Sequence, residues 1–210
     1  MNTRRLSIAA AVAAVVGAGC AGLATGNYGE RAFAMMKSSF KENGQAKLDR
    51  LDQDDTQRLC SEANADHRPL AAAERERIEK SNMARIKWPA DGKLLGDWRA
   101  GERIAQSGVG KQFNDAPTAP AGGNCYACHQ LSGEELAYGT IGPSLRQFAK
   151  VRANTSRADL ERYVYGKVYN AQAYSACSNM PRFGANGILT EQQIKDVTAL
   201  VLDANSPVNK

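Results

Sequence analysis

At 210 residues the chain has room for one modest domain with an extension, or at most two small domains. Hydrophobic residues make up 43% of it, ordinary for a soluble globular protein, while aromatics reach only 7%. Formal net charge is +5, falling to +3 once Arg4 and Arg5 of the leader are set aside; with no basic stripe interleaved with aromatics, nucleic acid is excluded as a partner.

Residues 1–24 read as a signal peptide. Arg4 and Arg5 form a positive start, Leu6 to Gly19 an apolar stretch, and small residues follow through Ala24. The stretch is too short to span a bilayer comfortably, since a crossing helix takes about 20 apolar residues. Cleavage after Cys20 or Ala24 would deliver the rest to the periplasm. Gly17-Ala18-Gly19-Cys20 loosely resembles a lipoprotein site, but Gly stands three before the cysteine where Leu is usual. Lipidation at Cys20 and an uncleaved anchor are therefore the lesser readings.

Residues 25–94 form a charged helical extension. Phe33, Met36 and Phe40 recur at helix-like spacing within Arg31 to Lys47, and Asp52 to Asp55 is an acidic break. Arg68-Pro69 ahead of Ala71-Ala72-Ala73-Glu74 predicts a helix start, with the helix running to about Arg85. Its few apolar anchors cannot offset the entropy of ordering it alone, so the extension is expected to lie on something else.

Trp88-Pro89 marks a boundary, and residues 95–210 read as a compact, all-α domain. Asp97 to Ser107 makes its first helix, with Ala100, Gly101, Ile104 and Ala105 on one face; Gly101 would let another helix approach closely. Gly108 to Gly123 is a loop, and a second Gly-rich loop carries Gly139, Gly142 and Pro143. Ser156 with Asp159 resembles a capping box before Leu160, Tyr163, Val164 and Val168. In the last helix Thr190 and Gln193 fit a capping box and Leu189 and Ile194 a hydrophobic staple, ahead of an apolar stripe of Ile194, Val197, Leu200 and Val201. No strand-like alternation is long enough to argue for a sheet.

The chemistry is concentrated in Cys125-Tyr126-Ala127-Cys128-His129, the C-x-x-C-H pattern of c-type haem attachment. Two thiols add across the two haem vinyl groups, and the adjacent His points at the iron. A zinc site would need further ligands, of which only His67, Cys60 and Cys177 remain. A thioredoxin-like pair would need a βαβ setting, which is absent. One motif implies one covalently bound haem c. Its low aromatic content fits, because a porphyrin supplies a large apolar core.

The sixth iron ligand is expected to be Met180. It is the only Met of residues 95–210, and His129 is their only His. Met180 stands between Asn179 and Pro181 and so on a loop rather than on a packed helix face. Met35, Met36, Met83 and His67 of the extension are poorer candidates. A thioether opposite an imidazole raises the reduction potential and leaves no vacant coordination position, which suits outer-sphere electron transfer. Cys60 and Cys177 remain; in an oxidising compartment they are expected to pair, the alternatives being two thiols or a bond to a partner.

The compact segment resembles a class I cytochrome c, in which a proline placed like Pro143 commonly offers its carbonyl to the proximal His; an ordinary turn is the other reading. The runs Gly139-Thr140-Ile141-Gly142-Pro143-Ser144-Leu145 and Asn179-Met180-Pro181-Arg182-Phe183-Gly184, then Gly187-Ile188-Leu189-Thr190, more specifically resemble SoxX, over about residues 95–205. SoxX is the monohaem subunit of the SoxAX complex of bacterial sulfur oxidation. That resemblance implies a SoxA-type haem subunit as partner and oxidative joining of thiosulfate to a cysteine of the carrier SoxYZ, an S-thiosulfotransferase reaction. The catalytic haem would lie on the partner chain, leaving this chain with no catalytic residue of its own and with electrons to pass to a small soluble cytochrome c. A free-standing periplasmic shuttle and a non-enzymatic interaction subunit with a mainly structural haem are the alternatives.

Overall fold

The computed structural model describes residues 27–210. The proposed signal peptide, residues 1–24 with Cys20, lies outside them. Regular structure among the described residues is helical, apart from one isolated antiparallel bridge between Asn43 and Ala46. Two compact units divide at Lys41 and Glu42.

In the first unit, helix α1 spans Tyr28–Ser39. The Asn27 side chain accepts from Glu30 N–H at 3.1 Å and so caps one of the otherwise orphaned first-turn donors. Lys37 lies over the Phe33 ring, 5.4 Å from its centroid. The periodic pattern that extends to Lys47 is not helical throughout. Phe40 turns extended, and the chain then reverses at Gly44, whose φ of +52° suits glycine.

The second unit holds residues 42–210, so the latter part of the charged extension shares one compact body with the cytochrome-like segment. Helix α2, Asp55–Ala65, starts inside the acidic break, because Asp54 and Gln57 form a reciprocal capping box. Helix α3 runs Ala72–Met83, with Glu74 reaching back to Ala71 N–H at 3.2 Å. Their apolar anchors are few but well covered: Ala63, Ile78 and Ile86 are buried. Polar ties supply the rest. Asn170 Nδ2 donates to Asn82 O and Oδ1, each at 3.0 Å, and Tyr165 OH donates to Lys87 O at 3.2 Å. Ala176 N–H donates to Glu79 Oε1 at 3.2 Å. A disulfide joins Cys60 of α2 to Cys177, as the sequence leads one to expect.

Arg182, itself buried, pairs with Asp54 at 2.6 Å. Burial opposes ionisation of Asp54, but the Gln57 N–H and the Arg182 guanidinium outweigh it and hold the carboxyl below its ordinary 3.8. A carboxylate depressed in the folded state contributes stability above its unfolded value and loses it as pH falls through the folded one. Acid melts should therefore show, below pH 3.8, a share of the stability loss that is missing in Asp54→Asn, a comparison that thermal melts of both proteins from pH 5 to pH 2.5 would settle.

The core lies between α4 (Trp98–Gln106), the short α5 (Phe148–Val151), α6 (Arg157–Tyr169) and α7 (Glu191–Leu202). Helices α4 and α7 pack on one another at Gly101, where a Cβ would run into the Asp196 carbonyl and Leu200. Asp196 is tied there: Oδ1 accepts from Asp97 N–H at 2.9 Å and from Gln192 Nε2 at 2.8 Å. Helix α6 buries Leu160, Val164, Tyr165 and Val168, and its start follows the expected signal, Ser156 accepting from Asp159 N–H at 3.1 Å. Helix α7 has the expected capping box and buries Ile194, Val197, Leu200 and Val201, the stripe read from the sequence. The C-terminal turn locks down through Asn209, whose Nδ2 donates to Val201 O at 3.0 Å and whose Oδ1 accepts from Ala149 N–H at 3.0 Å.

Candidate functional site

After α4 the loop folds back along its own origin. Gly122 N–H donates to Val109 O at 2.8 Å, Gly123 N–H to Ile104 O at 2.8 Å and Asn124 N–H to Ser107 O at 2.9 Å. These bonds deliver Asn124, at φ +45°, to the head of a 3₁₀ turn over Cys125–Ala127. His129 N–H closes the turn on Cys125 O at 2.9 Å, so the two cysteines and the histidine are held together. The following loop is laced to this turn by Gly139 N–H to Tyr126 O at 2.9 Å and Gly142 N–H to Cys128 O at 2.8 Å.

That lacing brings Pro143 O within 2.7 Å of His129 Nδ1. A carbonyl can only accept, so Nδ1 carries the proton and Nε2 keeps its lone pair. The ring is also wedged from one side: a Cβ on Gly142 would run into it. Gly142→Ala should therefore tilt the ring and weaken the Pro143 bond, at a cost of about 1–3 kcal/mol for overpacking. A lowered melting temperature together with a changed iron ligand-field spectrum would show it; an unchanged spectrum would mean the ring is not held this way.

His129, Cys125 and Cys128 line a cavity of about 560 Å³ with Met180. Phe148, Val164, Val168 and Phe183 give it apolar walls, and all four belong to the buried core. No other methionine of the second unit lines it, and His67 is exposed at the end of α2. Arg152 and Lys167 are the cations among its lining residues, and no carboxylate lines it. Burial pulls the Lys167 ammonium below its ordinary value, with Glu79 partly offsetting this. Burial likewise pushes the Cys125 thiol up to about 12. Such a thiol is protonated at neutral pH, unlike the low-pKa thiolates of redox-active pairs.

A haem fits these residues. Its vinyl groups call for two thiols, its iron for a nitrogen and a second donor, its ring for apolar walls, and its two propionates for cations. The cavity volume lies within the ordinary range for cofactor pockets of roughly 300–1,000 Å³.

Residues 110–205 match the cytochrome c family model. The fold is all-α and class I cytochrome c-like, as the sequence reading expects. A cytochrome c domain implies covalently bound haem c and supports an electron-transfer haem protein. The match begins after α4, although α4 packs on α7 inside the same core. A curated relative, an uncharacterized lipoprotein of Aquifex aeolicus (strain VF5), is 38% identical over 134 residues, covering 62% of this chain. The chain spans 61% of that relative's length. No helix among the described residues is long and apolar enough to cross a membrane.

The structure thus gathers Cys125, Cys128, His129, Pro143 and Met180 at one apolar cavity. Cys60 and Cys177 sit apart at a second, polar cavity of about 510 Å³ that Met180 also lines. Sequence reasoning missed Arg152 and Lys167 as cavity cations, and only their spacing from Phe148 and Val164 along two helices could have suggested them. It also missed the Asp54–Arg182 pair. The Asp54-Asp55-Thr56-Gln57 run at the end of the acidic break carried the capping half of that signal.

Proposed function

We propose that this chain is an electron-transfer subunit carrying one haem c, which Cys125 and Cys128 would hold covalently and whose iron His129 and Met180 would ligate. The observation that carries this reading is the meeting of all four side chains at one apolar cavity, with His129 Nδ1 spent on Pro143 and Nε2 left as a donor. Bound there, the haem supplies a one-electron couple between Fe(III) and Fe(II). The chain's own residues set the terms of that couple. Pro143 fixes the tautomer and ring of His129, which raises its basicity as a ligand. As an iron ligand, the Met180 thioether would favour the reduced metal. Phe148, Val164, Val168 and Phe183 exclude water, and Arg152 and Lys167 offset negative charge at the cavity.

The finer reading is a SoxX-like subunit of a thiosulfate-oxidising complex, working with a SoxA-type haem subunit and the carrier SoxYZ and handing electrons to a small soluble cytochrome c. It is supported by the Gly139–Leu145 and Asn179–Gly184 runs, which here form the loop around Pro143 and the loop of Met180. Export to the periplasm accords with the leader, and the lipoprotein description of the Aquifex relative favours a lipid anchor at Cys20 over free release.

The test is native purification of the tagged full-length chain from the envelope fraction at low salt, counting haem per polypeptide. Co-elution with a second haem-bearing chain is expected. A clean monohaem monomer would reduce the reading to a free shuttle. Release that requires detergent in the wild type, but not in Cys20→Ser, would identify the anchor.

A further inference from the structure

We propose that Cys60 and Cys177 are a positioning pair for Met180: their disulfide clamps the Met180 loop, and its reduction frees the thioether from the iron. This rests on the reading of Met180 as an axial ligand.

Met180 lies in an irregular stretch between the turn Ala171–Ala173 and α7. On its C-terminal side, Gly184 and Ala185 N–H both reach Tyr169 O at 3.0 Å. Nearer to Met180, the ties come from the extension. The Cys177–Cys60 bond and the Ala176–Glu79 hydrogen bond hold the loop before it, and the Arg182–Asp54 pair holds it after. Within the loop, Met180 N–H has the Ser178 hydroxyl at 3.2 Å. The covalent tie is therefore three residues from the sulfur it would position, and the other two are single polar contacts. The Asp54 side chain of the ion pair is 40% exposed, which weakens that contact on its own.

Placement also makes the bond reachable. Cys177 is exposed, and both cysteines line the polar cavity together with Ser61, Asn64 and Arg182. Ser178, Asn179, Met180 and Pro181 line that cavity and the apolar one alike. The loop is thus a wall between a site where a reductant can act and the site where the iron would sit.

The chemistry balances with a dithiol as reductant. One of its thiolates attacks Cys177 sulfur and forms a mixed disulfide, and Cys60 leaves as thiolate and takes up a proton. The second thiol of the reductant then displaces Cys177, which is protonated in turn. Two electrons and two protons pass to the protein, and the dithiol becomes a cyclic disulfide.

The test is carbon monoxide binding by the ferrous holoprotein, because CO occupies only an iron position that Met180 has left. Oxidised wild type, wild type treated anaerobically with dithiothreitol, the C60S/C177S variant and Met180→Ala are compared, with helicity followed by circular dichroism. Dithiothreitol-treated wild type and C60S/C177S are expected to bind CO at least tenfold faster than oxidised wild type, and ferric C60S/C177S to lose much of its Met–iron absorption band. If Met180→Ala itself gains no CO binding, the ligand assignment fails. If Met180→Ala binds CO but the disulfide-free forms do no better than oxidised wild type, the assignment stands and the clamp is overturned. Loss of helicity in step with CO binding would also overturn it, making the bond a staple of the whole fold. Should C60S/C177S fail to fold, the dithiothreitol-treated wild type, reduced after folding, carries the comparison.

Discussion

Replacing Met180 by Ala is expected to abolish the low-spin, Met-ligated spectrum and to open the iron to exogenous ligands. The expectation follows from the cavity: no other methionine of the second unit lines it, and His129 is its only histidine. Among the described lining residues no second thioether or imidazole stands ready to replace it. Loss of this soft donor should lower the reduction potential by on the order of 0.1 V, a modest part of the roughly 0.8 V that axial ligands span. Met180 is partly buried against the core, so some loss of stability is expected as well. Met180→His separates the two effects: it should restore a low-spin spectrum at a lower potential than wild type. Potentiometric titration of all three proteins checks both. An Ala variant whose spectrum matches wild type would remove Met180 from the iron.

Gly101→Val is expected to be strongly destabilising although it lies away from the cavity. At this crossing α4 lies so close to α7 that a Cβ would meet the Asp196 carbonyl carbon and oxygen as well as Leu200 Cβ. The obstacle is backbone, which cannot swing aside as a flexible side chain can. Asp196 is further pinned by Asp97 N–H and Gln192. Overpacking costs about 1–3 kcal/mol, and a rigid obstacle places this one near the top of that range. For a chain of this size, a loss of about 3 kcal/mol lowers the melting temperature by roughly 6–12 °C. The spectrum of the folded fraction should remain that of wild type, because α4 supplies no lining residue of the cavity. Thermal melts beside the absorption spectrum test both halves.

These two positions also show what could be read directly from the residues. Gly101 lay on the small-residue face of a predicted helix and announced a close helix approach, but not which helix would make it. Capping at Ser156 and Thr190 and the C-x-x-C-H motif are local patterns, in which neighbours in sequence interact, so sequence alone exposes them. Met180 could be singled out by elimination, since the segment offers one Met and one His. Long-range polar ties were not legible. Nothing in the sequence pairs Asn82 with Asn170, 88 positions apart, or Arg182 with Asp54, because each residue taken alone reads as an ordinary surface side chain. The extent of α1 was overestimated for a related reason. Its helical spacing continues past Ser39, but the Asn43-Gly44 turn overrides a weak periodicity. The docking of residues 42–94 could be anticipated as a need for a partner surface, yet which surface depended on a few buried side chains and one disulfide.

The central claim is that Cys125 and Cys128 hold a haem covalently in the cavity shared with His129 and Met180. The most direct measurement is haem retention by the polypeptide after denaturation in acidified organic solvent, with the chain produced in a host that matures c-type cytochromes. One haem per chain, remaining with wild-type polypeptide but extracted from the double variant Cys125→Ala/Cys128→Ala, is the predicted result. Haem that extracts from wild type, or a chain that acquires none under these conditions, would contradict the account.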